Sequence, residues 1–260
     1  MLVSSRRWMM WFARRLGDVF SLALVISLCC LAADRSHAED EERHPVSKGK
    51  TVYIDGAANI LAEVENPKGS LLLLAGGSER LNVRADGSFT DQTLSAFVRN
   101  RDRFAKSGFN TLLVDKETNL REAVEYMKRL KRPVTIVAIS NATRRTAKAL
   151  VQGAKPDRVV LASGELNAQS GPLVGVADIL QDPGRLPPTL VIHHRKDACR
   201  VTNPAGVAPF HAWAGDGVRK VFWIDGGAEG TGGCASLGYH GFGGRDAELV
   251  AEVVNFAAGE

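Results

Sequence analysis

Residues 133–150, PVTIVAISNATRRTAKAL, constrain this chain more than any other stretch. Residues 134–137 are a short, mostly β-branched run, the pattern of a strand covered on both faces. From Thr143 to Leu150 helix formers carry apolar positions at helical spacing. Only the residues from Ala138 to Ala142 lie between, so the chain must turn sharply with Ser140 at its centre. A serine on such a turn is pushed out of the fold, with the positive end of the helix beneath it. An acyl-transfer nucleophile needs that place, because the turn exposes Oγ and aims backbone N–H groups at a developing oxyanion. The pattern departs from G-x-S-x-G at Ala138 and Ala142, where glycines usually let neighbouring turns approach. Alanine is the next smallest residue, so the geometry is stressed rather than excluded. Plain packing at a small-residue junction also accounts for the pentapeptide, and the stretch alone does not decide.

Around it, strand and helix patterns alternate. Residues 51–54 and 60–64 flank Asp55-Gly56, a hairpin signal. Further strands are expected at 70–75, 109–114, 158–162, 187–193 and 218–224, with helices at 89–107, 120–131 and 246–258. Alternation of this kind implies βαβ crossovers: an α/β fold, a mostly parallel sheet flanked by helices on both faces. Gly76-Gly77-Ser78 ends the strand at 70–75. It reads either as a turn or as a loop pointing an N–H at a bound carbonyl oxygen.

Two more chemical groups fall on the same edge. Asp197 follows the strand ending near His193-His194, and His240 lies in the loop after the last strand. Binding sites in open α/β sheets occur at the carboxyl edge. Serine is a poor nucleophile until a histidine takes its proton, and a carboxylate fixes that histidine's tautomer. Each residue also has a bland account, Asp197 as a turn cap and His240 as a surface histidine. Three arriving in the order Ser140, Asp197, His240, each after a strand, favour the triad. Only 56 residues separate Ser140 from Asp197, which leaves no room for a large lid domain and suggests an open cleft taking a small acyl group.

The first 38 residues read as an export signal. Arg6, Arg7, Arg14 and Arg15 form a basic start, residues 19–33 are apolar but short for a bilayer, and Ser36-His37-Ala38 fits a cleavage site. An uncleaved anchor is the rival reading. Residues 39–50 are charged and read as a flexible arm, leaving one domain at 51–260. Of the net charge of +4, +3 belongs to the leader, so nothing argues for nucleic acid or for membrane association once the leader is gone. Cleavage leaves two cysteines, Cys199 and Cys234, which in an oxidising compartment read as one disulfide and otherwise as two buried thiols.

With these residues in view, the chain from about Thr51 onward resembles the α/β-hydrolase superfamily, and within it a group of small exported bacterial hydrolases. The resemblance rests on residues 71–77, 97–101 before Gly108-Phe109, 134–143, 191–204 and 234–241. Its most specific part is His-His-x-x-Asp-x-Cys at 193–199 together with Cys-x5-His-Gly at 234–241. It implies Ser140 as nucleophile, Asp197 as acid, His240 as base, and the N–H groups of Asn141 and of Gly77 or Ser78 as oxyanion hole. In that frame a Cys199–Cys234 bridge ties the loops carrying acid and base. The implied protein is an exported serine hydrolase of a small ester, periplasmic or secreted, without cofactor. The alternatives are a catalytically impaired binding module, favoured by the two alanines, and a peptidase, amidase or acyltransferase on the same residues.

Other features are weaker. His193-His194 invite a metal reading, but adjacent strand residues point to opposite faces and no third ligand is near, which favours packed histidines. Ser163, after the next strand, is a substitute nucleophile only if Ser140 is buried. The glycine-rich loop 226–233 matches no phosphate-loop pattern and reads as a loop beside the site. Phe210, Trp213 and Trp223 read as core or pocket wall.

Overall fold

The computed structural model describes residues 49–260. The leader and nearly all of the arm lie outside them. The arm's last residue, Lys50, already belongs to strand β1 (Lys50–Ile54).

Among the described residues eight strands form one sheet. After β1 come β2 (Ala57–Ala62), β3 (Gly69–Leu74), β4 (Phe109–Val114), β5 (Val134–Ile139), β6 (Arg158–Ala162), β7 (Thr189–His194) and β8 (Val218–Ile224). Their spatial order is β1-β2-β4-β3-β5-β6-β7-β8. The β1–β2 hairpin turns at Asp55 and Gly56, both with positive φ, and β2 joins β4 antiparallel. Every other pairing is parallel. In a parallel sheet both faces are covered, and β3, β4, β5 and β7 are accordingly buried along their whole length.

The alternation of side chains divides the core in two. Leu72, Leu74, Ile136, Ala138 and Leu161 face one layer, packed by helices α3 (Leu120–Leu130), α4 (Ala142–Val151), α5 (Val176–Leu180) and α6 (Val207–Ala214). Leu71, Leu73, Val137, Ile139 and Val160 face the other, under α1 (Ala96–Arg99), α2 (Arg101–Lys106) and α7 (Asp246–Ala258). Phe210 is fully buried in the first layer, with Trp213 and Trp223 packed against it in part.

The helix expected at 89–107 is shorter and broken. The N–H groups of Thr90 and Asp91 both bond to Leu81 O, and Gln92 has φ +58, a conformation no helix accepts. The helix therefore starts at Ala96. It breaks again at Asn100, whose side chain bonds back to Ala96 O at 2.9 Å.

Register carries the fold to the site. Leu74 pairs with Ala138, Ile139 with Ala162, and Ala162 with Ile192. The residues that follow β3, β5, β6 and β7 therefore emerge level, at one carboxyl rim.

Candidate active site

Ser140 stands at the tip of the β5–α4 turn with φ +59. A non-glycine residue held there costs on the order of 1–3 kcal/mol, so its surroundings must enforce it. Its N–H bonds to Ala162 O at 3.0 Å, and its carbonyl accepts from Thr143 N at 3.0 Å and Thr143 Oγ1 at 2.6 Å. Thr143 Oγ1 in turn accepts the N–H of Glu165 at 3.1 Å, which fastens the elbow to the segment after β6. Ala138 and Ala142 are fully buried, and the elbow forms with their methyl groups in place. A tight approach lies on the neighbouring loop: a Cβ on Gly76 would sit 3.1 Å from Ser140 Cβ.

Gly77, with φ +62, lies beside the elbow, and its carbonyl accepts from Asn141 Nδ2 at 2.7 Å. Among the described residues the N–H groups of Asn141 and Gly77 find no backbone acceptor. Two free donors, one at the start of α4 and one in the loop after β3, are what an oxyanion requires. Ser78 is exposed, and its Oγ accepts from Gln92 Nε2 at 2.9 Å. Gly77 lines the cavity that contains Ser140, whereas Ser78 is not among its walls.

Asp197 and His240 meet. Nδ1 of His240 lies 3.0 Å from Asp197 Oδ2, and both residues are only 6 % exposed. An ionised carboxylate accepts only, so His240 carries its proton on Nδ1. The other carboxylate oxygen, Oδ1, accepts the N–H of Cys199 at 2.9 Å. Thr202 adds a third donor, its hydroxyl 3.1 Å from Oδ2. No spacing rule points to Thr202, although it lies within the segment that carries the resemblance. Ser140 and His240 line the same cavity of about 140 Å³, with Gly77, Gln92, Ile139 and Val201 among its walls. Ser140 Oγ and His240 are not hydrogen-bonded here. Such contacts commonly tighten only when substrate is bound.

Ser163, the substitute nucleophile, is fully buried, and its hydroxyl is committed to the carbonyl of His240 at 2.8 Å. It anchors the base's backbone and is not available as a nucleophile. Cys199 and Cys234 are disulfide-bonded, with Cα atoms 4.5 Å apart, and both line the cavity. The loop 226–233 approaches the acid's segment at Gly233, where a Cβ would sit 2.5 Å from Ala198 O. Its outer residues, with Lys196, Ala198 and Tyr239, frame a second cavity of about 490 Å³.

The two strand-end histidines are fully buried and held by the protein. His194 Nδ1 accepts the N–H of Lys196 at 3.0 Å, so its proton sits on Nε2, which donates to Gly226 O at 2.7 Å. Its ring stacks on Tyr239 at 4.5 Å. His193 Nδ1 lies 3.3 Å from His194 O and 4.0 Å from Asp197 Oδ2. Burial lowers the pKa of His193 more than Asp197 raises it, so the ring is neutral at pH 7.

A buried charge cluster supports the elbow helix from behind. Arg145 reaches Glu79 at 3.1 Å and the carbonyls of Asp115 and Thr118 at 2.8 and 2.7 Å, tying α4 to the loop after Gly76. Arg144 Nε lies 3.2 Å from Glu165 Oε2, within ion-pair reach but without hydrogen-bond alignment. Burial raises the carboxyl pKa of Glu165 above 4.5, with Arg144 opposing. A carboxyl raised by folding stabilises the fold below its unfolded pKa, and that contribution is lost as pH rises through the folded value. Ionised Glu165 therefore costs stability at neutral pH. Glu165→Gln is expected to raise Tm at pH 7, with the difference vanishing near pH 4. Thermal melts at the two pH values check this, and a lower Tm for the glutamine variant at pH 7 contradicts it.

Sheet order, crossovers and rim together define the α/β-hydrolase fold. An esterase of Pyrococcus furiosus shares it at TM-score 0.56 and 11% identity, over 79% of this chain and 88% of that one. The esterase domain of a Rhodothermus marinus protein matches at TM-score 0.55 and 12% identity, over 80% and 96%. An esterase of the Planctomycetes species Thermogutta terrifontis matches at 0.53 and 12%, over 83% and 91%. No protein-family model and no curated protein matches the chain in sequence. At such identities the likeness defines the fold, and activity has to be argued from the residues.

Proposed function

We propose that this protein is an exported serine hydrolase that cleaves a small carboxylic ester. The observation that carries the reading is the Asp197–His240 hydrogen bond at the wall of the cavity that also holds Ser140. With its proton on Nδ1, His240 keeps the Nε2 lone pair to take the proton of Ser140 as Oγ attacks the ester carbonyl. Asp197 stabilises the imidazolium. The N–H groups of Asn141 and Gly77 take the oxyanion. Collapse breaks the ester C–O bond, His240 returns the proton to the departing alcohol, and the acyl group stays on Ser140. Water, deprotonated by the same histidine, then releases the acid.

The size of the acyl group follows from volume. A cavity of about 140 Å³ is close to one of roughly 150 Å³ that holds benzene in another protein, which favours a short acyl chain. Export is argued from the leader, with cleavage after Ala38, and from a disulfide that suits an oxidising compartment. The test is a series of p-nitrophenyl esters from acetate to decanoate. Turnover is expected to be best with the shortest chains and to fall steeply along the series. Failure to hydrolyse any member contradicts the proposal.

A further inference from the structure

Thr202 is fully buried between the two groups on which the proposed reaction depends. Its Oγ1 is 3.1 Å from Asp197 Oδ2 and 3.1 Å from His240 Nδ1, and the Asp197–His240 contact of 3.0 Å closes the triangle. Two protons serve these three sides, one from the hydroxyl and one from the imidazole. With the imidazole proton on Nδ1, both point at Oδ2, so each contact to the carboxylate joins a donor to an acceptor, and the Thr202–His240 side needs no proton of its own. In the other tautomer the Nδ1 lone pair would face the carboxylate at 3.0 Å. Thr202 could relieve that clash only by turning its single proton to Nδ1 and leaving Oδ2.

The rest of the environment leaves Oδ2 to these two donors. Oδ1 is taken by Cys199 N–H. His193, whose Nδ1 is 4.0 Å away, is neutral and directed at His194 O. Arg195 is paired with Asp225 at 3.0 Å. Thr202 is itself fixed, its N–H bonded to Cys199 O at 3.0 Å beside the disulfide, and its β-branched side chain has few rotamers to choose from.

We propose that Thr202 is a positioning residue: its hydroxyl orients Asp197 and confines the proton of His240 to Nδ1, which leaves Nε2 free to accept the proton of Ser140. This rests on the serine-hydrolase reading of the same site. When Nε2 gains that proton, Thr202 Oγ1 shares the Nδ1–H with the carboxylate and stays in place.

The experiment compares the rate at which a fluorophosphonate labels Ser140 in wild type, Thr202→Val and Thr202→Ser. It adds the downfield proton NMR signal of the His240 Nδ1–H as a readout. Valine keeps the shape and removes the hydroxyl, and labelling is expected to slow by about 10- to 100-fold, the range for a hydrogen bond to a charged group. The imidazole signal should broaden or vanish in the valine variant. Serine restores the hydroxyl, and with it most of the rate and the signal. Thr202→Ala replaces the valine variant if valine does not fold. Wild-type labelling rate and an unchanged signal without the hydroxyl overturn the proposal, as does a serine variant no better than valine. If wild type itself takes no label, the hydrolase reading fails, and the signal in the three proteins still decides whether Thr202 holds the proton on Nδ1.

Discussion

His240→Ala is expected to lower kcat on p-nitrophenyl acetate by about 10⁶-fold, with KM little changed, as when a base that acts only in the transition state is removed. Nothing nearby can replace it. His194 is locked between Lys196 N–H and Gly226 O, and His193 is fully buried, faces His194 O and is not among the walls of the cavity that holds Ser140. Asp197→Asn should cost less, about 10⁴-fold, because the imidazole survives but the amide can stabilise the wrong tautomer. The ranking is itself informative. An alanine variant that loses less than about 10²-fold has another base at work, and the geometry offers none among the described residues. Steady-state kinetics of the two variants, with Tm measured alongside, separate lost chemistry from lost folding.

The second large effect concerns the bridge. The double variant Cys199→Ala, Cys234→Ala opens a loop with a sequence separation of 35. In the chain-entropy account that costs about 4 kcal/mol, equivalent to a fall in Tm of roughly 8–16 °C for a domain of this size. Activity should fall below the level that unfolding explains. Cys199 donates its N–H to Asp197 Oδ1, and Cys234 begins the segment that returns to His240, so the bridge sets the distance between acid and base. Thermal melts and activity assays with and without a reductant give the same comparison on the unmodified protein. A Tm and a kcat that both survive reduction contradict this account of the bridge.

How far the sequence could be read follows from what each element depends on. β4, β6, β8 and α7 lie where apolar runs place them, because each run ends at a residue that cannot continue it. Gly108, with φ +91, stands before β4 and marks the helix end. β5 runs two residues beyond the expected Val137, since Ala138 and Ile139 still find ladder partners in Leu74 and Ala162. Phe89 fits a helical pattern, yet its neighbours bond to Leu81, a preference set by tertiary contact and invisible locally. Helix α6 has no counterpart among the expected elements, although the 3-10 turn leading into it, Pro204–Gly206, carries a start signal: Asn203 Oδ1 accepts from Ala205 N at 2.9 Å.

The site divides the same way. Ser140, Asp197 and His240 each follow a strand, so chain order together with sheet topology brings them to one rim. Thr202 and Ser163 both hold the base, through contacts spanning 38 and 77 residues, which no local pattern encodes. Ala138 and Ala142, the two departures from the elbow pattern, are fully buried with their methyl groups accommodated. The glycine packed closest against Ser140 is Gly76, on a neighbouring strand's loop, where a Cβ would sit 3.1 Å from Ser140 Cβ.

The most direct measurement is to incubate the folded wild-type protein with a fluorophosphonate and locate the adduct by peptide mass spectrometry. The account predicts one stoichiometric adduct on Ser140, and none anywhere in Ser140→Ala. An adduct on another serine, or none on a folded wild-type protein, would contradict it.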